Sequence, residues 1–210
     1  MTTPTYAASP PHARPLAELA EAAEVEEEGR ALLQPRQHPL EFVRALTGAG
    51  RHADAIRFLA HAIPKREAVW WAWMAARRAL PPGDPPPKLR GALDATERWL
   101  TQPSEEHRRA AMAAAEVAGL GTAAGCAALA AFLSGGSIAP PDAPAVPPGE
   151  FLTAKAVTGA VLSAAAAGDP EKLPETLRAS AEQGVELAQR IQLWPPPATA
   201  PAAPAAAAGR

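Results

Sequence analysis

Several kinds of residue are scarce in this chain, and each scarcity excludes a class of protein. A single cysteine, Cys126, in 210 residues excludes an intramolecular disulfide framework and any zinc or iron–sulfur site built from several cysteines. Aromatic residues make up 5% of the chain and β-branched residues are also few, so little of the sequence favours β-strands. The formal net charge is −2, which provides no overall field to attract nucleic acid or an anionic membrane.

Long apolar runs are scarce as well. Residues 1–11 contain neither the basic region nor the apolar run of a secretory signal peptide. The stretch 110–131 is mostly small and apolar, but it contains Glu116, several glycines and little leucine or isoleucine. Alanine contributes little to membrane insertion, so we do not expect this stretch to span a bilayer. We predict a cytoplasmic protein with no membrane insertion and no nucleic-acid partner.

Alanine is the commonest residue in the chain, and it is the best helix former. The larger apolar residues recur at helical spacing between segments rich in glycine and proline. No repeat period survives a residue-by-residue comparison, which argues against a strict solenoid. The sequence therefore predicts an all-α protein of about eight helices. We expect an irregular stack of antiparallel helical hairpins, either a bundle or a right-handed packing like that of HEAT or TPR proteins.

Several residues predict where helices begin and turn. Pro39 suits a first helical position, Ser104 and Thr122 suit N-caps, and Asp169 precedes a proline and an acidic first turn. The glycines at 119, 121 and 125 superficially resemble a dinucleotide-binding fingerprint. That fingerprint requires a preceding strand, whereas a helix is expected here, so we interpret these glycines as a corner between two helices.

The composition also predicts how the chain is divided. Residues 1–15 are expected to form a disordered arm, and the Ala/Pro-rich residues 195–210 a disordered tail. Between them we expect one helical domain, residues 16–194. Residues 134–149, rich in glycine and proline, cannot be helical, and we expect them to be an ordered loop held against the helices.

The most unusual stretch runs from Lys65 to Trp73 and contains three tryptophans in four residues. Successive helical side chains turn by about 100°, so the three cannot all lie on one side of a helix. The spacing of Val69, Trp73, Ala76 and Leu80 predicts that Trp73 faces the core. Trp71 is then expected against a second neighbour or at the surface.

Two interpretations of the tryptophans stay open at this stage. They could wedge between adjacent hairpins and replace the bulky aliphatic residues that the core lacks. Alternatively they could anchor a partner protein, with Arg66 and Glu67 as the polar rim. We expect Lys65 and Arg66 to form structural ion pairs with carboxylates such as Glu41 or Asp54, since cations are disfavoured at a helix start.

The residues that carry chemistry do not assemble into a recognisable site. None of the five histidines has a second ligand at metal-binding spacing, and Cys126 and the serines lack the context of a nucleophile. We therefore predict no catalytic residue, no metal ligand and no cofactor.

Three stretches of the chain resemble an uncharacterised family of small bacterial all-helical proteins. They are residues 52–73, 122–137 and 139–154, and the likeness covers about residues 32–194. Members of that family are encoded near type VI secretion genes, so the resemblance implies a bacterial, cytoplasmic and secretion-associated setting. It implies no activity and transfers no catalytic residue.

The predicted function is a non-enzymatic accessory or adaptor protein that binds other proteins, including secretion-system components. Its candidate interaction surface consists of Arg66, Glu67, Trp70 and Trp71. The alternative is a small-ligand-binding protein or an enzyme with a pocket between hairpins, lined by tryptophan, Arg66, Glu67 and His61. An interaction module should expose an apolar patch, whereas a ligand-binding protein should enclose a pocket with convergent polar groups.

Overall fold

The computed structural model describes residues 14–194, and every regular element in that range is helical. This confirms the all-α class. The ten α-helices are α1 (Leu16–Ala22), α2 (Glu27–Arg30), α3 (Pro39–Gly48), α4 (His52–Ala62), α5 (Lys65–Arg78), α6 (Pro87–Thr101), α7 (Glu105–Ala118), α8 (Ala123–Leu133), α9 (Leu152–Ala166) and α10 (Leu173–Arg190). The predicted tail and all but the last two residues of the predicted arm lie outside the described residues.

The predicted helix starts are confirmed by hydrogen bonds. Ser104 Oγ accepts from the backbone N–H of His107 at 3.1 Å, and Thr122 Oγ1 accepts from that of Gly125 at 3.0 Å. Asp169 Oδ1 accepts from the backbone N–H of Glu171 at 3.0 Å, ahead of the 3-10 turn that opens α10. Each cap satisfies a backbone donor that the first turn of a helix leaves without an intrahelical acceptor.

From helix propensity we expect one helix from Leu16 to Leu33, but this segment is interrupted in the structure. Glu24 adopts a left-handed backbone conformation (φ 54°), so α1 ends before it and α2 begins at Glu27. The Glu24 carboxylate forms an ion pair with Lys155 of α9, with 2.6 Å between Oε1 and Nζ. This break is one reason why the chain has more helices than the sequence predicts.

One continuous hydrophobic core extends from Leu19 to Trp194. Consecutive helices pack together from α6 to α9, while α9 also packs on α4 and α5, and α10 packs on α4. Buried residues of α8, most of them alanine, lie on nearly all sides of this helix. Neighbouring helices therefore pack around α8, which lies at the centre of this packing. Helical spacing predicts a single buried face of Cys126, Leu129 and Leu133 on this helix. The structure corrects this prediction, because Cys126 is buried but Leu129 and Leu133 are only half-buried.

The glycines at residues 119–125 form the corner between α7 and α8. Gly119 has a φ of 90°, which side chains disfavour, and it ends α7. A Cβ on Gly125 would lie 2.1 Å from the carbonyl oxygen of Gly119. The corner therefore needs glycine for conformation at one position and for close approach at the other, and the interpretation as a helix–helix corner is confirmed.

Arginines of α7 hold the loop of residues 134–149. Arg108, 4% exposed, donates through Nη1 to the Phe132 carbonyl at 2.5 Å and through Nη2 to the Ser137 carbonyl at 2.7 Å. Its guanidinium also forms a two-pronged ion pair with Glu105 at 2.7 Å. Arg109 adds a 3.1 Å bond to the Ala139 carbonyl. The start of the loop is thus fixed to α7 by charge-assisted hydrogen bonds.

Candidate functional site

The three tryptophans of α5 occupy three different environments. Trp71 is 1% exposed, whereas Trp70 and Trp73 are half-buried. The sequence-based placement of Trp73 in the core is therefore wrong, whereas Trp71 packs against a second neighbour, one of the two placements expected for it. Trp71 is a core side chain and is removed from the candidate interaction surface, because a side chain without exposed area cannot contact a partner.

Trp71 points towards α10 and α4. The space for its ring exists because position 184 of α10 is glycine: a Cβ there would lie 2.9 Å from Cζ2 and Cη2 of Trp71 and 3.0 Å from Cδ1 of Leu59. The facing glycine decides which tryptophan enters the core. Sequence periodicity alone does not pair these two positions.

We expect Gly184→Ala to lower the free energy of unfolding by about 1–3 kcal/mol, because the added methyl overpacks the ring of Trp71. Alanine favours helix by roughly 1 kcal/mol over glycine, so the same change at an unpacked helical glycine is expected to stabilise the protein. Gly91 of α6 is the matched control, since a Cβ there meets nothing within 4 Å. Urea unfolding of both variants measures the difference, and equal effects at the two positions would contradict the packing.

The two half-buried tryptophans differ in whether the indole N–H is hydrogen-bonded. Trp73 Nε1 donates to the Leu93 carbonyl at 3.1 Å, and the Arg77 guanidinium lies 5.1 Å from the Trp73 ring centroid. Within residues 14–194, the indole N–H of Trp70 has no acceptor and is not buried. Trp70 therefore combines an accessible aromatic face with an available donor.

Depressions lie on both sides of the Trp70 ring, and we call them together the Trp70 groove. The one towards α6 has a volume of about 210 Å³, and the one towards α10 has a volume of about 520 Å³. The α6 side is lined by Arg66, Glu67, Trp70 and Leu100. The α10 side is lined by Trp70, Met74, Gln183, Glu186, Leu187, Gln189 and Arg190.

Arg66 has a structural contact at the edge of the groove. Its Nη2 donates to the Leu100 carbonyl at 2.6 Å, in the last turn of α6, where a cation is favourable for the helix dipole. The expected pairing with Asp54 does not form: Asp54 is 2% exposed and is bound by Arg51 at 2.6 Å and by Arg57 at 2.9 Å. The structure thus brings Arg66, Glu67 and Trp70 together on the α6 side, as the candidate surface requires.

His61 does not belong to this site. The imidazole is 3% exposed, its Nδ1 lies 2.8 Å from the Arg57 carbonyl, and its ring packs 5.5 Å from that of Phe151. His61 lines neither side of the Trp70 groove. The alternative prediction was a pocket lined by tryptophan, Arg66, Glu67 and His61, and it is wrong for His61.

The buried His61 predicts a dependence of stability on pH. Burial lowers the pKa of His61 below its ordinary value of 6.5, against the opposing effect of the hydrogen bond to Arg57. Its Nε2 is buried without a hydrogen-bond partner, so a proton there finds no acceptor. The unfolded chain then binds this proton more readily, and the stability present above about pH 6.5 is lost as the pH falls through the lowered value.

We expect the His61→Phe variant, which keeps a ring against Phe151, to lose less of its stability as the pH falls. The measurement is the free energy of unfolding in urea between about pH 8 and pH 5, around the ordinary histidine pKa. The wild-type chain should lose stability more steeply than the variant over this range. Equal slopes would show that His61 does not titrate with folding.

A larger depression of about 710 Å³ lies between the α3–α4 turn and α10. It has no tryptophan, tyrosine or phenylalanine in its lining, and its Arg178 is paired with Glu182 at 2.9 Å. Each side of the Trp70 groove is smaller than this depression, but the groove has the aromatic side chain and the available donor. We therefore take the Trp70 groove as the candidate site.

Elsewhere in the described residues, few side chains are arranged as a metal-binding or reactive site. Within residues 14–194 no group of three or more histidine, cysteine, aspartate or glutamate side chains is placed to hold a metal ion. Burial raises the pKa of the Cys126 thiol, whose sulfur lies 2.9 Å from the Leu120 carbonyl. None of the described helices is both long enough and apolar enough to cross a bilayer.

Comparison with known proteins places the chain in one family. Residues 42–188 match the model of a family of unknown function, DUF6931. The chain belongs to this family, which confirms the resemblance to an uncharacterised family. No curated protein and no solved structure matches the chain.

Proposed function

We propose that this member of the DUF6931 family is a non-enzymatic accessory protein that binds a partner protein through the Trp70 groove. The observation that carries the proposal is the environment of Trp70. This half-buried ring lies between two depressions, and its indole N–H has no acceptor among the described residues. Tryptophan is enriched among the residues that dominate binding energy at protein interfaces.

The rim of the groove fits a peptide segment of a partner better than a compact ligand. Both depressions are open to solvent, and each has polar side chains of both charge signs around an apolar floor. Glu67 and Arg66 lie at one end, and Glu186 and Arg190 at the other. Such a rim can orient a segment that places apolar side chains on each side of Trp70.

The resemblance to proteins encoded near type VI secretion genes gives the partners to test first. Subunits of that secretion apparatus are the expected binding partners. This association is part of the proposal and rests on the resemblance alone.

The test is site-specific crosslinking in the native cell. Glu67 at the rim is replaced by the photoreactive amino acid p-benzoylphenylalanine, and crosslinked proteins are identified by mass spectrometry. We expect one dominant partner, which is lost when Trp70→Ala is added. Trp73→Ala is the matched control, because Trp73 is half-buried on the same helix but does not line the groove.

Each variant is first checked for a wild-type helical circular dichroism spectrum and cooperative unfolding. Loss of the crosslink in Trp70→Ala but not in Trp73→Ala supports the groove. A crosslink that persists in Trp70→Ala, or the absence of any specific crosslink, would contradict the proposal.

A further inference from the structure

A proline segment stands out on the surface outside the Trp70 groove. We define the proline segment as residues 140–148, which include five prolines and a single charged residue, Asp142. Residues 140–147 are all exposed, and so is the large apolar side chain of Val146, at 47%. Large apolar side chains and prolines grouped on an exposed loop indicate a contact surface.

The second half of the proline segment has no regular secondary structure, and its prolines favour an extended backbone. Residues 144–149 form no helix, strand or turn. Proline fixes its own φ near −65°, and the residue before a proline is held in the extended or polyproline II region. Ala143, Val146 and Pro147 each precede a proline. Pro144 and Pro147 are three residues apart, which places them on one edge of a polyproline II helix with three residues per turn.

The rest of the loop holds this segment in place. Ser137 Oγ accepts from the backbone N–H of Val146 at 3.0 Å, and the Val146 carbonyl accepts from Ile138 N–H at 2.8 Å. Ser137 itself is bound through its carbonyl to the buried Arg108. The segment is therefore ordered before it meets a partner, which lowers the entropic cost of binding.

The carbonyl groups of the segment remain available. Among the described residues, none donates to the carbonyls of Pro144 or Pro147. An extended proline segment with open carbonyls is the ligand that aromatic-lined grooves recognise: the rings stack on the prolines and an indole N–H donates to a carbonyl. The Trp70 groove has both of these features.

We infer that the proline segment of one copy of this chain docks in the Trp70 groove of a second copy. This inference rests on the proposed function, since it names the chemistry of the ligand that the groove binds. Pro144 and Pro147 stack on Trp70, whose indole N–H donates to a carbonyl of the segment. Asp142, the single charge of the segment, pairs in this arrangement with Arg190, the basic residue on the α10 side of the rim.

The contact joins two different surfaces, so it is heterologous. Each chain carries one groove and one proline segment, and a pair joined by a single contact leaves one of each open. Association of this type continues into open chains or closes into rings, the smallest of which is a reciprocal dimer.

Analytical ultracentrifugation of the full chain tests the inference at protein concentrations up to about 1 mM, where even millimolar association is detected. The wild type is expected to form dimers or larger species. Trp70→Ala and the double variant Pro144→Ala/Pro147→Ala are each expected to associate at least about tenfold more weakly, as loss of a central aromatic contact does. Trp70→Phe, which keeps a ring but removes the N–H donor, is expected to lie between the wild type and Trp70→Ala.

Mixing the two defective variants gives the sharpest result. The Trp70→Ala chain keeps its proline segment and the double proline variant keeps its groove, so one productive contact is restored. The equimolar mixture is expected to form a one-to-one dimer and no larger species. The variant Pro201→Ala/Pro204→Ala, which removes prolines of the same spacing from the C-terminal tail, is expected to associate like the wild type.

Three outcomes overturn the inference: a wild type that is monomeric throughout, a mixture that does not dimerise, and association that survives both sets of substitutions. Circular dichroism checks that every variant is folded. The proposed function is judged separately by the crosslinking at Glu67. A monomeric wild type whose Trp70-dependent crosslink to another protein persists overturns the self-association and leaves the proposed function standing.

Discussion

Replacing Trp71 by alanine is expected to lower the free energy of unfolding by about 3–5 kcal/mol, the usual cost of truncating a large buried aromatic side chain. Trp71 is 1% exposed, and its ring packs against Gly184 of α10, where Leu59 of α4 also packs. Removal of the ring leaves a cavity that three helices, α4, α5 and α10, cannot all close without moving. Chemical denaturation followed by circular dichroism measures the change.

The neighbouring Trp70 is the matched comparison, because it has the same side chain on the same helix, one residue earlier. It is half-buried and lines open depressions, so Trp70→Ala is expected to cost about 1–2 kcal/mol, because only part of its ring is buried against the core. Partner binding is expected to show the opposite order, with Trp70→Ala impairing it far more than its small effect on stability explains. A Trp70→Ala variant as unstable as Trp71→Ala would contradict the division between core and groove.

Replacing Arg108 by methionine is expected to lower the free energy of unfolding by about 2–4 kcal/mol, since buried carbonyls that lose their donors cost about 1–3 kcal/mol each. The Phe132 carbonyl loses its Arg108 donor, and the Ser137 carbonyl keeps only the longer 3.3 Å bond from Arg109. The Arg108 guanidinium also lies 4.6 Å from the centroid of the Phe132 ring. The loop that carries the proline segment should loosen at the same time. Faster backbone hydrogen exchange at Ile138 and Val146 measures this loosening.

Arg109→Met provides the control for Arg108. Arg109 bonds to the same loop and to Glu105, but its side chain is 28% exposed, and exposed ion pairs contribute about 1 kcal/mol or less. The hydrogen bond from Arg108 also lowers the pKa of Glu105 below its ordinary value of 4.5. The stability from that ion pair is therefore present above pH 4.5 and is lost as the pH falls through the lowered value. Equal effects of the two arginine substitutions would rule out Arg108 as the main anchor of the loop.

Local chemistry could be predicted from the sequence because it involves residues a few positions apart. Alanine content predicted the helical class, and side chains such as Ser104, Thr122 and Asp169 marked helix starts, since a cap acts on backbone groups two or three residues away. The resemblance to an uncharacterised family was also detectable from the sequence and is confirmed by the family match. The candidate surface at Arg66, Glu67 and Trp70 was suggested by the same local reasoning.

Local sequence patterns could not predict which tryptophan of α5 enters the core. Helical periodicity shows which side chains share a face of α5, but α5 is covered by α6, α8, α9 and α10, so more than one face is buried. The same limit applies to α8, where a narrow face was predicted and nearly the whole circumference is covered. Side-chain spacing within one helix contains no information about how many neighbours pack against it.

The helical class, the helix starts and the glycine corner followed from residue types and their spacing, because each depends on backbone geometry within a few residues. Tertiary structure alone decided three further features: Trp71 fills the space at Gly184, Arg108 holds a loop about 30 residues away, and Trp70 remains open between α6 and α10. Each depends on close packing between segments distant in the chain. Packing of that kind is sensitive to the presence or absence of a single methyl group, and a pattern of polar and apolar residues does not record it.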